Sequence, residues 1–333
     1  MINFGIIGTG WITTSFVAGA HATSKWNLSA VYSRSSDSAK HFASKYDQPI
    51  KTHTTISSLA ADTNISAVYI ASPNSLHFVQ AAELLKAGKH VILEKPATST
   101  GTELDKLFEL AKENNVFLLE AYRHLHERNF KILQYNLPCL GPIYGASLTY
   151  AQYSSRYDKV LAGETPNIFS LEYSGGALVD LGVYCVAAAV ALFGAPRESV
   201  YHPVVISTGA DGAGFMLLKY EGFSVAINFS KIYNSATPSE VYGEKGTLVT
   251  PSITDIERVE FVDSQKKGEK EERGEEKEHL NLKEEAEEFA RIIEEQDKEA
   301  ARKWERISRT VVGITEKVRR DNGLLFKVEK EAL

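Results

Sequence analysis

The chain has 333 residues, of which 43% are hydrophobic and 24% are charged, and its formal net charge is −6. This length favours two domains, and the composition is typical of a globular protein with a sizeable core. The negative charge argues against nucleic-acid binding, and no stretch reaches the ~18 to 20 consecutive apolar residues that span a bilayer. We therefore expect a cytoplasmic protein with no nucleic-acid or membrane partner.

Short apolar strands alternate with amphipathic helices over the first third of the chain. The sequence predicts strands at 2–8, 28–33, 67–71, 90–94 and 116–120, with helices from about 11 and at 36–46, 78–87 and 103–114. This alternation is typical of a parallel, doubly wound sheet. We assign residues 1–121 to an α/β Rossmann dinucleotide-binding domain.

The pattern changes after residue 121. A helix is predicted at 122–133, and strands at 143–153, 204–208, 215–220, 223–232, 239–243 and 259–262. An apolar helical segment covers 177–193, and two further helices cover 284–298 and 303–320. Consecutive strands joined by short turns favour antiparallel pairing. We therefore predict that residues 122–333 form an α+β substrate-binding and oligomerisation domain with an open, mostly antiparallel sheet and C-terminal helices.

A glycine-rich turn follows the first predicted strand. Gly8 permits a tight turn and Gly10 lets the backbone approach a pyrophosphate, while the following helix, with Trp11 and Ile12 in its first turn, offers free amides. Thr13 stands where the usual fingerprint has a third glycine. The glycine turn follows the first strand of an alternating strand and helix pattern, and this position predicts a dinucleotide site. The alternative is a structural turn.

The end of the second predicted strand indicates which dinucleotide binds. NAD-binding chains usually place an acid there, whereas this chain has Ser33, Arg34 and Ser35, with Asp37 only beyond the strand end. The hydroxyls and the guanidinium are suited to bind a phosphate. We therefore expect NADP rather than NAD. The alternative is that Arg34 is a surface residue at a turn.

Several segments together resemble the Gfo/Idh/MocA oxidoreductase family. They are Gly8-Thr9-Gly10, Ser72-Pro73-Asn74 with Leu76-His77, Ala87-Gly88-Lys89-His90-Val91, Glu94-Lys95-Pro96 and, in the second domain, 175–184. The resemblance covers essentially the whole chain and is specific for the family but not for a substrate. In having a tyrosine at position 184, the chain resembles the branch that contains dimeric dihydrodiol dehydrogenase and glucose–fructose oxidoreductase.

The resemblance implies roles for the residues of these segments. The family's Glu-Lys-Pro lysine lies beside the nicotinamide and the reacting carbon, so Lys95 is expected to polarise the substrate oxygen. Cofactor contacts are expected from Ser72, Pro73, Asn74, His77 and Glu94, besides Lys95 and the residues of the glycine turn. The implied activity is hydride transfer between NADP and a secondary alcohol or carbonyl of a sugar, polyol or related hydroxy compound.

Asp180 and Tyr184 are four residues apart, which places them on one face of a helix. A phenol with a pKa near ~10 exchanges protons poorly at neutral pH unless a cation stabilises its phenolate. We expect Lys95 to be that cation, Tyr184 to exchange the proton of the substrate oxygen, and Asp180 to orient the substrate or Lys95. The alternative for Tyr184 is a core aromatic residue.

Other candidates depend on weaker signals. Arg123, His124 and Arg156 are candidate substrate contacts, and the nine histidines show no metal-ligand spacing, so no metal is expected. Two alternative functions remain open: an NAD-dependent inositol-type dehydrogenase and a non-catalytic NAD(P)-binding regulator. By resemblance, a homodimer or higher homo-oligomer is expected through the exposed face of the second domain's sheet.

Overall fold

The computed structural model describes residues 1–266 and 269–331, which form two compact units. The first unit contains Met1–Arg123 and Glu278–Arg309, and the second contains His124–Lys277 and the chain from Thr310. This division corrects the predicted second domain, 122–333, because residues 278–309 pack with the first unit. Residues 332–333 of that predicted domain lie outside the described residues.

The first unit contains a six-stranded sheet. Its strands and helices are β1 (Ile2–Ile7), α1 (Trp11–Ala22), β2 (Trp26–Tyr32), α2 (Ser36–Ala43), β3 (Lys51–His53), α3 (Ile56–Ala60), β4 (Ala67–Ile70), α4 (His77–Lys86), β5 (His90–Glu94), α5 (Gly101–Glu113) and β6 (Leu118–Ala121). The strand order is β3-β2-β1-β4-β5-β6, and every neighbouring pair is parallel. The predicted parallel, doubly wound sheet is confirmed. The sequence missed β3 and α3 because three and five residues carry too little periodicity.

The remaining elements follow in chain order. They are α6 (Arg123–His126), α7 (Arg128–Asn136), β7 (Ile143–Ala151), α8 (Tyr157–Leu161), α9 (Val183–Phe193), β8 (Glu198–Val205), β9 (Asp211–Lys219), β10 (Ser224–Ser230), β11 (Ser239–Gly243), β12 (Gly246–Thr250), β13 (Glu260–Asp263), β14 (Lys270–Glu272), α10 (Lys283–Glu295), α11 (Lys298–Asp321) and α12 (Lys327–Lys330).

The second unit contains an eight-stranded sheet in the order β14-β13-β12-β11-β7-β10-β9-β8. β7 and β10 pair in parallel, and the other neighbouring strands pair antiparallel. The expected open, mostly antiparallel sheet of an α+β domain is confirmed.

Two predicted elements differ from the structure. The helix expected at 122–133 is interrupted at Glu127, whose backbone is not helical, so α6 and α7 are separate. The strand expected at 204–208 is instead β8, which ends at Val205. The apolar pattern was misleading there because Ser199 and Tyr201 face the core while Val200 and Val204 face solvent.

The most apolar segment of the second unit is Leu171–Phe193, which contains α9. Contrary to the expectation from sequence, this stretch of 23 residues is long and apolar enough, by composition alone, to cross a membrane. However, 72% of its most apolar window is buried within the protein, as in the core helix of a globular domain.

A helix from late in the chain, α10, completes the core of the first unit. Its apolar stripe includes Phe289 and Ile292, which are fully buried. Gly19 of α1 allows the close approach, because a Cβ at this position would lie 2.8 Å from the Leu282 carbonyl carbon. The indole of Trp26 donates a 2.8 Å hydrogen bond to the Ala286 carbonyl. These contacts explain why residues 278–309 belong with the first sheet.

The edge strand β6 carries a buried carboxyl group, that of Glu120, whose residue is only 3% exposed. The Ala97 amide donates a 2.8 Å hydrogen bond to its Oε1. Burial raises the pKa of Glu120 to about 7, although the bond from Ala97 favours the ionised form. The folded unit therefore binds the proton of this carboxyl more tightly than the unfolded chain does.

Glu120→Gln is expected to change how stability depends on pH. In the wild type, the stabilisation from the protonated carboxyl is fully present below the ordinary glutamate pKa and is lost as the pH rises through about 7. The variant should lack this loss and gain about 3 kcal/mol relative to the wild type by pH 8. Urea unfolding from pH 5 to 8.5 measures the difference, with exposed Glu113→Gln as the control. A pH-independent difference would contradict the prediction.

Candidate active site

The glycine turn of the first unit has the geometry that a pyrophosphate requires. Gly8 has a φ of +99°, and a Cβ there would lie 2.5 Å from the Ala71 carbonyl oxygen. Gly10 precedes α1 and supplies no side-chain cap, and the space that its Cβ would occupy is open. The amides of the first helical turn are thus left for an anion. Trp11, which is exposed, and half-buried Ile12 begin this turn.

Thr13 fills the position of the missing third glycine. Its side chain is fully buried, and its hydroxyl oxygen lies 3.6 Å from the place of a Cβ on Gly8. Within the described residues this hydroxyl has no hydrogen-bond partner. An unpartnered buried hydroxyl beside an open glycine turn fits a site that receives a polar group.

Polar side chains without a carboxylate follow β2. The Ser35 hydroxyl oxygen accepts a 3.3 Å hydrogen bond from the Ser38 amide and caps α2, and the Ser33 hydroxyl oxygen accepts one from the Ser35 amide. Because both oxygens already act as acceptors, both hydroxyl hydrogens are left to donate outward. Arg34 between them is exposed, and no ion pair to it is found in residues 1–266 or 269–331. The loop thus presents two hydroxyl donors and an exposed guanidinium at the end of β2.

The loop after β4 contains the predicted Ser72, Pro73 and Asn74. The Ser72 hydroxyl donates a 2.7 Å hydrogen bond to the Gln80 side-chain oxygen. Pro73 precedes a short 3-10 turn, Asn74–Leu76, that leads into α4. All three predicted residues are partly exposed at the carboxyl edge of the sheet.

His77 lies beneath the loops that follow β4 and β5. Its ring is buried, with Nδ1 at 3.0 Å from the Pro96 carbonyl oxygen and Nε2 at 2.9 Å from the Ser72 carbonyl oxygen. Burial lowers its pKa. His77 thus joins the loops after β4 and β5, and its expected cofactor contact stays a prediction.

Lys95 lies directly after β5 and is partly buried. Its amide donates to Oε2 of the preceding Glu94 at 3.3 Å, and Oε1 of Glu94 accepts a 2.6 Å hydrogen bond from the Tyr69 hydroxyl. Burial raises the pKa of Glu94. Glu120, opposite Leu93 in the sheet register, holds the same turn through Ala97. Sequence reasoning did not single out Glu120, although an acid inside an apolar strand is a usable signal.

Asp180 and Tyr184 lie on consecutive helical segments of the second unit. Asp180 belongs to a single π-helical turn, Leu178–Gly182, and Tyr184 lies in the first turn of α9. The Asp180 carboxylate forms an ion pair with Lys231, with 2.6 Å between Oδ2 and Nζ. Sequence reasoning missed Lys231, because nothing in its local pattern marks a buried cation. π-Helical turns occur frequently at functional sites.

Aromatic rings surround Tyr184. The Tyr150 ring meets it edge-on at 5.5 Å between centroids, and the His124 ring lies at 5.0 Å. His124 is fully buried, and its Nε2 lies 3.0 Å from the Tyr184 carbonyl oxygen. The His124 side chain therefore supports the helix that carries Tyr184, and its expected substrate contact stays a prediction.

The two predicted arginines belong to different units. Arg123 donates a 2.8 Å hydrogen bond to the Asn281 side chain within the first unit. Arg156 is exposed in the second unit, where it precedes α8. Across the described parts of the chain, no group of three or more His, Cys, Asp or Glu side chains is arranged to hold a metal ion.

Comparisons with known proteins identify both parts of the chain. Residues 2–122 match the model of an oxidoreductase family with an NAD-binding Rossmann fold, and residues 139–249 match the GFO/IDH/MocA C-terminal domain. A scyllo-inositol 2-dehydrogenase (NADP(+)) of Bacillus subtilis (strain 168) is 38% identical, with 99% of this chain and 100% of the relative covered. A trans-1,2-dihydrobenzene-1,2-diol dehydrogenase of Mus musculus is 30% identical, with 74% and 73% covered.

A solved structure has the same fold over nearly the whole chain. It is a 3-ketoreductase from Actinomadura kijaniata in complex with NADP and TDP-benzene, with a TM-score of 0.83, 23% identity, and 96% of this chain and 97% of that chain covered. Together with the two family models, these relatives show that the chain belongs to the Gfo/Idh/MocA family and is an NAD(P)-dependent oxidoreductase.

Proposed function

We propose that the chain is an NADP-dependent dehydrogenase or reductase acting on a secondary alcohol or carbonyl of a cyclic polyol or related sugar-like compound. The observation that carries the proposal is the carboxyl edge of the first sheet, where the glycine turn, the loop 33–35 and Lys95 follow β1, β2 and β5. The relative named scyllo-inositol 2-dehydrogenase (NADP(+)), which is similar over its whole length, supports the substrate class.

The preference for NADP is proposed from the loop after β2. Ser33 and Ser35 can donate hydroxyl hydrogens, and Arg34 can add a charge-assisted hydrogen bond to a 2′-phosphate. A carboxylate at this place would instead accept hydrogen bonds from ribose hydroxyls, and β2 ends without one. Gly8, Gly10 and the first turn of α1 would hold the pyrophosphate, and the loop 72–74 would border the nicotinamide half.

The chemistry assigned to this chain's own residues is proton movement at the substrate oxygen. A bound nicotinamide cofactor would supply the hydride acceptor in oxidation and the hydride donor in reduction. In the oxidative direction, the hydroxyl proton passes to the phenolate oxygen of Tyr184, and in reduction the neutral phenol of Tyr184 returns it. The ammonium of Lys95 holds the substrate oxygen and stabilises the charge that develops on it. Asp180 accepts a hydrogen bond from a neighbouring substrate hydroxyl.

We also propose that the protein works in the cytoplasm as a homo-oligomer. The outer face of the second sheet is apolar: Val200 lies opposite Leu217, and Phe215, which is 55% exposed, lies opposite His202. Large contiguous apolar patches on a protein surface mark interaction sites, and self-complementary sheet faces pair in symmetric oligomers.

Cofactor preference is tested by titrating the protein with NADPH and NADH and following nicotinamide fluorescence. We expect NADPH to bind more tightly. Arg34→Ala should raise its Kd by roughly 10- to 100-fold, the loss of one charge-assisted hydrogen bond, and leave the Kd of NADH unchanged. Lys40→Ala, an exposed cation on α2, is the control. Tighter binding of NADH would refute the NADP assignment, and binding of neither would contradict a working dinucleotide site.

The catalytic assignment is tested with scyllo-inositol, D-glucose and trans-1,2-dihydrobenzene-1,2-diol as substrates for the wild type and for Lys95→Met and Tyr184→Phe. Each variant should lose about 10²- to 10⁴-fold in kcat, because Tyr184→Phe removes the proton-exchanging hydroxyl and Lys95→Met removes the ammonium that stabilises the substrate oxygen. NADPH binding should persist in Tyr184→Phe. Tyr135→Phe, an exposed tyrosine, is the control. A Tyr184→Phe protein with more than half of the wild-type kcat would remove Tyr184 from the mechanism.

The oligomer is tested by light scattering at micromolar concentration. We expect a mass that is a multiple of 36.8 kDa. Phe215→Lys should shift this mass toward the monomer, because a charge buried in an apolar interface has no partner. Leu161→Lys, which changes a more exposed apolar residue on α8, should leave the assembly intact. A wild-type mass of 36.8 kDa would contradict the proposal.

A further inference from the structure

One buried lysine of the second unit, Lys231, has no part in the proposed mechanism. It follows β10 directly and is 1% exposed. Its amide donates a 2.8 Å hydrogen bond to the Gly212 carbonyl, and its carbonyl accepts one of 2.9 Å from the Ser154 amide. A buried ammonium is tolerated only when partners compensate its charge, so this position needs an explanation.

The partners of Lys231 lead to the candidate site. Nζ lies 2.6 Å from Oδ2 of Asp180, donates a 2.9 Å hydrogen bond to the Ile168 carbonyl, and lies 4.4 Å from the centre of the Phe169 ring. The ion pair is one-sided, because the lysine side chain is 2% exposed and the aspartate side chain is 32% exposed. A pair that served only the core would bury both groups. The buried lysine of this pair therefore fixes a carboxylate that is partly exposed at the surface.

Contacts other than the ion pair also fix the segment that carries Asp180. The amide of Leu178, which begins the π-helical turn, donates a 2.6 Å hydrogen bond to the buried Asp211 carboxylate, which also accepts one from the Tyr201 hydroxyl. Gly182, which ends this turn, lies against the Phe229 ring, so that a Cβ there would approach it to 2.9 Å. These contacts fix the backbone of the turn. The ion pair with Lys231 then fixes the orientation of the Asp180 side chain.

The sheet connects this ion pair to Tyr184. β10, which precedes Lys231, pairs in parallel with β7, and Phe229 lies opposite Tyr150 in the register. The Tyr150 ring packs edge-on against Tyr184. Two neighbouring strands therefore support the two residues to which we assign proton exchange and substrate binding, one through a cation and the other through an aromatic ring.

We propose that Lys231 is a positioning residue that holds the Asp180 carboxylate in the orientation in which it accepts a hydrogen bond from a hydroxyl next to the reacting carbon. The inference deepens the proposed function and rests on it. Lys231 does not contact the substrate and acts through Asp180 alone. Its removal therefore weakens recognition of a vicinal hydroxyl and leaves the binding of NADPH unchanged.

A double-mutant cycle tests this inference. Kinetic constants for scyllo-inositol are measured for the wild type, Lys231→Met, Asp180→Asn and the double variant. Each single variant should lose roughly 10- to 100-fold in kcat/KM, because a hydrogen bond to a charged group is misplaced or lost. Because Lys231 acts through Asp180, the double variant should lie within about 2-fold of Asp180→Asn. Lys231→Arg, which keeps the cation, should recover part of the loss.

A buried lysine of the first unit supplies the control for a purely structural effect. The Nζ of Lys89 donates to the carbonyls of Asp62 and Ile65 at 2.7 and 2.8 Å. Lys89→Met should lower the Tm and leave kcat/KM unchanged, whereas Lys231→Met should change kcat/KM and leave the Kd of NADPH unchanged. If Lys231→Met does not fold, the double variant, which leaves no unpaired Asp180 carboxylate, and Lys231→Arg decide the test.

Each outcome has one meaning. A double variant whose loss is the product of the two single losses overturns the inference, as does an unaltered kcat/KM in Lys231→Met or an equal loss in Lys89→Met. These results leave the proposed function intact if the wild type oxidises scyllo-inositol. A wild type that binds NADPH but turns over none of the three compounds refutes the proposed function, and the inference then falls with it.

Discussion

The parallel pairing of the first sheet is the constraint on which the rest of the candidate site depends. Parallel strands bring their carboxyl ends to one edge, so segments that are far apart in sequence become neighbours without any direct affinity for one another. The glycine turn after β1, the serine and arginine loop after β2 and Lys95 after β5 lie on this edge for that reason. Their assignment as a site follows from the order of the strands as much as from their chemistry.

Buried polar groups then fix these loops. His77 spans the carbonyls of Ser72 and Pro96, and Glu120 accepts the amide of Ala97 beyond the lysine. In the second unit, Asp211 and Lys231 do the same for the helical turn of Asp180. In a low-dielectric interior such contacts are strong when satisfied and costly when broken, so they hold the loops rigidly. In each unit, buried charged side chains, and in the first unit also a buried imidazole, hold the segments that carry the residues assigned to the reaction.

The relatives show why the fold by itself does not identify a substrate. Relatives named as a scyllo-inositol 2-dehydrogenase and a dihydrobenzene-diol dehydrogenase are 38% and 30% identical to this chain, and a 3-ketoreductase of 23% identity has the same fold. A fold hosts many substrates because specificity depends on a few side chains around a common reaction. Under the proposed function, the Asp180 carboxylate and the aromatic rings near Tyr184 would be such side chains in this chain.

The sequence by itself determined the alternation of strands and helices, the glycine turn, the absence of an acid after β2, and the candidate pair Asp180 and Tyr184. These features are encoded locally, because periodicity, turn chemistry and strand ends are read within a few residues. Tertiary structure alone decided that His77 and His124 are buried, that Lys231 pairs with Asp180, that Val200 faces outward and that α10 packs on α1. Each of these depends on contacts between residues distant in sequence, which no local pattern specifies.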